Sequence, residues 1–220
     1  ETLRISKAYG LYQECKNKYN KDLFYQFNIL FMSLPITAII NNSIFCVHGG
    51  ISPHLHNLEE FRKLTKPHQI INDSIFGDLL WSDPSLSVQG FASNSRGCGV
   101  LFSKESVETF LDENNLKLLI RSHEKCSAGY KWTFKKSRCL TIFSSTDYCG
   151  HNNNGLVVLI SADSNIKKAV FSSLPPEEKY HRVVNYPCWL LERKNDFLLR
   201  SPPPSENSHD TFDESMLVIV

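Results

Sequence analysis

No stretch of this chain offers the 18 or more uninterrupted apolar residues that a membrane-crossing helix needs. The richest run, Phe31 to Val47, is broken by Ser33, Pro35, Thr37, Asn41, Asn42 and Ser43. Charge of one sign is missing too. Twenty-four Lys+Arg stand against 23 Asp+Glu, a net +1, which gives no global field for gripping nucleic acid or an anionic membrane. The expectation is a chain with neither a nucleic-acid nor a membrane partner. Its seven cysteines are odd in number and form no Cys-x-x-Cys, which argues against a disulfide framework and a zinc knuckle and for a reducing compartment, cytoplasmic or nuclear. No cysteine is followed six residues later by arginine, so the thiolate phosphatases are excluded. Gly-x-Ser-x-Gly, Walker and Gly-x-Gly-x-x-Gly loops are absent, and with them the signatures of serine hydrolases, P-loop enzymes and dinucleotide binders.

What is present suffices for a globular core: 220 residues, 41% hydrophobic and 21% charged. Apolar residues at steps of three and four predict an amphipathic helix over Arg4 to Tyr19. A second, apolar nearly all round and therefore expected to be deeply buried, runs from Asp22 to Leu34 and stops at Pro35. Ile36 to Ile40 and Ser43 to Val47 read as strands joined by Asn41-Asn42 in a tight hairpin. Leu58 to Leu64 is helical, Thr65 to Gly99 irregular, and Ser103 to Glu113 helical, with Ser103 or Ser106 as N-cap. Strands follow at Leu116 to Arg121, Tyr130 to Phe134, Cys139 to Ser144, Leu156 to Ser161 and Ile166 to Phe171. Residues 1–175 thus read as one domain, 176–200 as a poorly defined extension, and 201–220 as a disordered Pro/Ser-rich acidic tail. The tail closes on an apolar pentapeptide, Met216 to Val220, either a functionless end or a strand able to add to another sheet.

Four positions have the character of a site. His48 ends a strand just before Gly49-Gly50, and His123 follows another apolar strand in the same way. Each is either a structural turn histidine or a ligand aimed from a strand end into one crevice. Arg96, set among small turn formers, is either surface or a bidentate grip on phosphate. Tyr148 lies in a small-residue loop beside Cys149, packed over it or contacting substrate.

Taken in order, the motifs carry more than any one residue. His48-Gly49-Gly50-Ile51-Ser52-Pro53, Asp78-Leu79-Leu80-Trp81-Ser82-Asp83-Pro84, Ser95-Arg96-Gly97, Arg121-Ser122-His123, Gly129-Tyr130 and Ile142 to Gly150 form one series. It resembles the metal-dependent serine/threonine phosphoprotein phosphatases, the superfamily of type-1, type-2A and calcineurin enzymes, from Glu1 to about Phe171. The resemblance implies an α/β fold, a two-sheet β-sandwich flanked by helices, and hydrolysis of phosphoserine or phosphothreonine in proteins by water activated on two divalent metals, manganese or else iron or zinc. It makes His48 and His123 metal ligands, Arg96 and Tyr148 catalytic, Arg96, Tyr148 and Cys149 substrate-binding, and Asp83 a loop organiser. Regulatory subunits are the further partners it implies.

The same resemblance places the other ligands in Gly-Asp-x-His-Gly, Gly-Asp-x-x-Asp-Arg-Gly and Gly-Asn-His-Glu motifs, of which Glu1 matches only the last residue. The expectation is a catalytic domain incomplete at its N-terminus and inactive alone, or else a non-catalytic scaffold of the same family. Asp147 stands where the family has a neutral amide, Ser95 where an aspartate precedes the arginine, and His151 where an acidic residue is frequent. Lys125 and Lys131 make the rim basic, which favours acidic phosphosubstrates.

Overall fold

The computed structural model describes residues 2–66, 74–134, 138–173 and, as backbone, 217–219. It divides into two compact units, residues 1–126 with 130–143, and residues 127–129 with 144–220.

In the first unit, helix α1 (Leu3–Ala8) is capped by the Thr2 hydroxyl, and α2 (Leu11–Lys18) and α3 (Lys21–Ser33) follow. The single helix expected over Arg4 to Tyr19 is split because Gly10 takes φ +98, a left-handed turn that costs glycine little. α3 departs from expectation as well. It buries Phe24 and the polar Asn28, which receives a bond from the Ser6 hydroxyl, while Tyr25, Ile29, Leu30 and Met32 are exposed. The apolar character read as deep burial is instead a surface row.

Strands β1 (Thr37–Ile40) and β2 (Ile44–Val47) form the expected hairpin, with Asn41 and Asn42 both at φ near +50 as a type I′ turn requires. After the short α4 (Leu58–Phe61), the stretch read as irregular contains helix α5 (Ile75–Trp81), N-capped by Ser74, and strands β3 (Asp83–Pro84) and β4 (Phe91–Ser93), which flank β5 (Val100–Phe102), just beyond that stretch, in a small sheet of order β3-β5-β4. These strands are two or three residues long, too short for a period-2 signal. α6 (Lys104–Glu113) begins at Ser103, whose hydroxyl accepts from Ser106 N. β6 (Leu118–Arg121), β7 (Tyr130–Trp132) and β8 (Cys139–Ile142) complete a five-stranded sheet in the order β1-β2-β6-β8-β7. β2, β6 and β8 run parallel and the two edge strands antiparallel. α6 covers this sheet with Val107, Phe110 and Leu111, and the Phe110 ring meets Phe45 edge-on at 5.1 Å.

In the second unit a 3-10 turn (Tyr148–Gly150) precedes β9 (Gly155–Ile160), which pairs antiparallel with β10 (Ile166–Phe171) and with β11 (Leu217–Ile219). Three residues of the stretch read as a disordered tail are therefore strand. The expectations for 176–200, 201–216 and Val220 lie outside the described residues. No sheet closes into a barrel among the described residues.

Candidate active site

The parallel pairing of β2 with β6 builds the centre of the site. Val47 lies opposite Arg121, so the chain leaves both strands at the same height, and Ser122 N donates to His48 O at 3.0 Å. His123 then takes a left-handed turn at φ +67, a region where histidine is enriched among non-glycine residues. The two imidazoles meet, His48 Nε2 to His123 Nδ1 at 3.2 Å, with Trp81 edge-on to His123 at 5.3 Å. The two strand ends thus do bring both predicted histidines into one place.

The glycines after His48 serve packing here. A Cβ on Gly49 would lie 2.5 Å from the Leu80 carbonyl carbon and the Trp81 nitrogen, so only glycine admits the end of α5 beside the strand end. Gly49 N donates to Leu79 O, and the Ser52 hydroxyl to the buried Asp78 carboxylate at 2.6 Å. The His-Gly-Gly and Trp-Ser-Asp motifs are thereby one folded piece.

Arg121, at the end of β6, has a side chain with no exposure. Its Nε donates to Gly49 O, Nη2 to Ser82 O at 3.1 Å and to Asp83 Oδ1 at 2.9 Å, and Nη1 to Glu124. Asp83 turns its other oxygen, Oδ2, to Arg96 Nε at 2.6 Å and Asn94 Nδ2 at 3.1 Å. Burial pushes the Asp83 carboxyl up, but the hydrogen bonds from Arg96 and Asn94 and the charges of Arg121 and Arg96 outweigh it and hold it below the usual range. Arg96 is anchored through Nε alone, and neither terminal nitrogen makes a hydrogen bond among the described residues. A guanidinium held from behind with its fork outward is arranged for an oxyanion. Asp83, expected as an organiser, supplies the orienting carboxylate that Ser95 cannot.

His123 is pushed down to about 4, chiefly by burial and further by the charges of Arg96, His48 and Arg121, against the opposing pull of Asp83. It is neutral at pH 7, the state in which a ring nitrogen can ligate. Its Nε2 is buried and has no hydrogen-bond partner among the described residues. Two nitrogens about 2.0–2.1 Å from one shared cation, at angles of about 90–109°, sit about 2.9–3.4 Å apart, so the histidine pair fits one edge of a metal site. Among the described residues no group of three or more His, Cys, Asp or Glu is placed to hold a metal.

Against this geometry, the family model for calcineurin-like phosphoesterases matches residues 9–127, more than half of the chain. The chain belongs to the calcineurin-like phosphoesterase family. Phosphoesterases of this family generally use divalent metals, and the mixed α/β fold of the chain is theirs. A solved protein serine/threonine phosphatase from Saccharomyces cerevisiae, itself described as similar to human phosphatase PP5, is 30% identical over 79% of this chain, with a TM-score of 0.68. This chain spans 58% of that one.

Tyr148 and Cys149 belong to the second unit. Their loop is organised by Asn153, which sequence reasoning passed over. Only 2% exposed, it donates from Nδ2 to Ser145 O at 2.7 Å and accepts from Tyr148 N at 2.9 Å. Asp147 and Cys149 both take positive φ, and Tyr148 is 49% exposed. Arg121 and Glu124 were also passed over. The signal for Arg121 was a charge closing a wholly apolar strand, which burial permits only with partners.

Proposed function

We propose that the complete protein is a protein serine/threonine phosphatase and that this chain supplies the phosphate clamp and one metal-holding edge of its active site. The observation that carries this reading is the 3.2 Å apposition of His48 Nε2 and His123 Nδ1 on adjacent parallel strand ends, in the unit that also anchors Arg96 on Asp83. Two divalent ions, manganese first and iron or zinc otherwise, supply activation of water and neutralisation of the phosphoryl oxygens when bound. His48 and His123 would hold one of them. Arg96 grips phosphoryl oxygens with its terminal nitrogens while Asp83 fixes its plane, and Asp83 in turn rests on Arg121. Tyr148 and Cys149, by their place in the family's motif, contact substrate. Phosphoserine and phosphothreonine proteins are the substrates, regulatory subunits the partners, and the cytoplasm or nucleus the setting.

The remaining donors belong to the three motifs that the resemblance places ahead of Glu1, so the chain alone is inactive. A second reading, a non-catalytic scaffold, is favoured by the lack of a third donor beside the histidines among the described residues. The test joins a segment carrying those three motifs to the chain and assays an aryl phosphate with manganese. Turnover is expected only in the extended protein. Arg96→Ala should lower it by about 30-fold to 1000-fold with metal content unchanged. His48→Ala and His123→Ala should lower metal content first. An extended protein that binds two metals and still shows no turnover refutes the phosphatase reading in favour of the scaffold.

A further inference from the structure

A loop arginine grips an oxyanion in a fixed geometry only if the root of its side chain and the plane of its fork are both held, and Asp83 holds the plane alone. The root is held by Asn94. The chain leaves β4 at Ser93 and turns over Asn94-Ser95-Arg96-Gly97, with Gly97 N donating to Asn94 O at 3.2 Å. Inside that turn Asn94 Oδ1 accepts from Arg96 N at 3.1 Å, a side-chain turn that sets where the Arg96 side chain starts. The other end of the same carboxamide, Nδ2, donates to Asp83 Oδ2 at 3.1 Å, the oxygen that also accepts from Arg96 Nε at 2.6 Å. Nδ2 donates as well to Trp81 O at 3.3 Å, at the last residue of α5.

Two acceptors on one side and an N–H on the other fix which way the amide points. One short side chain therefore ties together the backbone of the clamp, its orienting carboxylate and a helix end. Alanine would lose both kinds of bond. Aspartate would keep the acceptor but set a second carboxylate against Asp83. The exit of the turn is pressed onto the same helix end: Gly99 takes φ +70, and a Cβ there would lie 2.6 Å from Ser82 N and from the Trp81 carbonyl carbon. The Arg96 side chain is 39% exposed, so these bonds rather than packing set its direction.

We propose that Asn94 is a positioning residue for the phosphate clamp, holding the Arg96 backbone with its carbonyl oxygen and the Asp83 carboxylate with its amide nitrogen, so that root and fork keep one orientation. It acts through these two residues and touches no phosphate itself. The proposal rests on the reading of Arg96 as the group that holds phosphoryl oxygens.

NMR of the arginine Nε–H groups in the isotope-labelled full chain tests this, with inorganic phosphate as the titrant. In Asn94→Ala the Arg96 Nε–H should exchange with water faster, and the phosphate dissociation constant should rise by about 3-fold to 10-fold, the weight of one or two hydrogen bonds. Asn94→Asp should not restore the affinity. The buried Arg121 Nε–H, bonded to Gly49 O, should stay protected in both variants as the sign that the fold is intact. Unchanged Arg96 exchange and phosphate affinity in Asn94→Ala overturn the proposal. So does loss of the Arg121 signal together with that of Arg96, since Asn94 then holds the fold and not the clamp. Arg96→Ala assigns the resonance and separates the two readings: if that variant binds phosphate as the unaltered chain does, Arg96 is no clamp, and its phosphate-holding role fails along with the role of Asn94.

Discussion

Replacing Arg121 by methionine keeps much of the side chain's length and removes every donor from a buried hub. The structure sets the magnitude. Gly49 O and Ser82 O, on buried residues, each lose a charge-assisted donor, and an unsatisfied buried acceptor costs about 1–3 kcal/mol. Asp83 keeps Arg96 and Asn94 on Oδ2, so it is not left as a bare buried charge, and Glu124, with 29% of its side chain exposed, can return to water. Breaking one side of a buried ion pair costs about 3–5 kcal/mol, and these two reliefs put the expected loss near the lower end, about 3 kcal/mol. At about 2–4 °C per kcal/mol for a protein of this size, Tm should fall by about 6–12 °C. Thermal melts at pH 7 followed by circular dichroism measure it. Combining Arg121→Met with Asp83→Asn in a double-mutant cycle should give a coupling of at least about 1 kcal/mol. Arg121→Lys should recover less than half the loss, since one ammonium cannot reach acceptors placed for a planar fork. A fall in Tm under about 2 °C, or strict additivity in the cycle, would show that the network follows the fold and does not hold it.

Acid should act through Asp83. Its folded carboxyl lies below the unfolded value, so the stability it contributes is present above about pH 4 and is lost as pH falls through the folded value, when the unfolded chain takes up the proton first. Melts from pH 3 to 7 should show this decline flattened in Asp83→Asn. Burial pushes Cys46 up to about 11 and Cys139 up to about 12, whereas Cys149 is exposed; iodoacetamide at pH 8 should therefore label Cys149 in the native chain and spare the other two, as peptide mapping would reveal. Asn153→Ala should loosen the Tyr148 loop at a cost of about 1–3 kcal/mol, read as faster proteolysis within 144–154 and little change in β6. The exposed apolar row of α3 should make the chain self-associate with rising concentration in light scattering, and Ile29→Lys with Leu30→Glu should suppress this.

The sequence displayed those parts whose physics is local. Asn41-Asn42 announced the hairpin because side chains that tolerate positive φ are rare, and His48 and His123 were found because each follows an apolar strand. It did not display that β2 and β6 are neighbours, since pairing between strands some 75 residues apart leaves no periodic trace, and without that adjacency the histidines are merely two turn residues. α5 was missed because Ile75–Trp81 is only seven residues with a glycine at the third. Arg121 was visible as a charge, but its role depends on carbonyls from Gly49 and Ser82 that only folding assembles. Of the two glycines after His48, Gly49 is room for the end of α5 and Gly50 is room for the Phe102 ring, neither of which the sequence displays.

Charge accounts for the division of labour among these residues. Arg96, Arg121, Asp83 and Glu124 sum to zero, and the Asp83 carboxylate is already shared between two guanidiniums. His123, held neutral by burial, adds a lone pair and no charge. A divalent cation at the histidine pair thus meets no net negative charge from this cluster, and two imidazole nitrogens do not offset the cost of stripping its water. An oxyanion, by contrast, meets the outward fork of Arg96, whose positive charge Asp83 compensates from behind only in part. In the proposed function the cluster therefore orients donors and holds an anion, and firm retention of metal requires carboxylates from outside it. In a titration of the chain with manganese alone, binding should be weak, in the millimolar range, and micromolar binding would mean that acidic residues outside the described set complete the site.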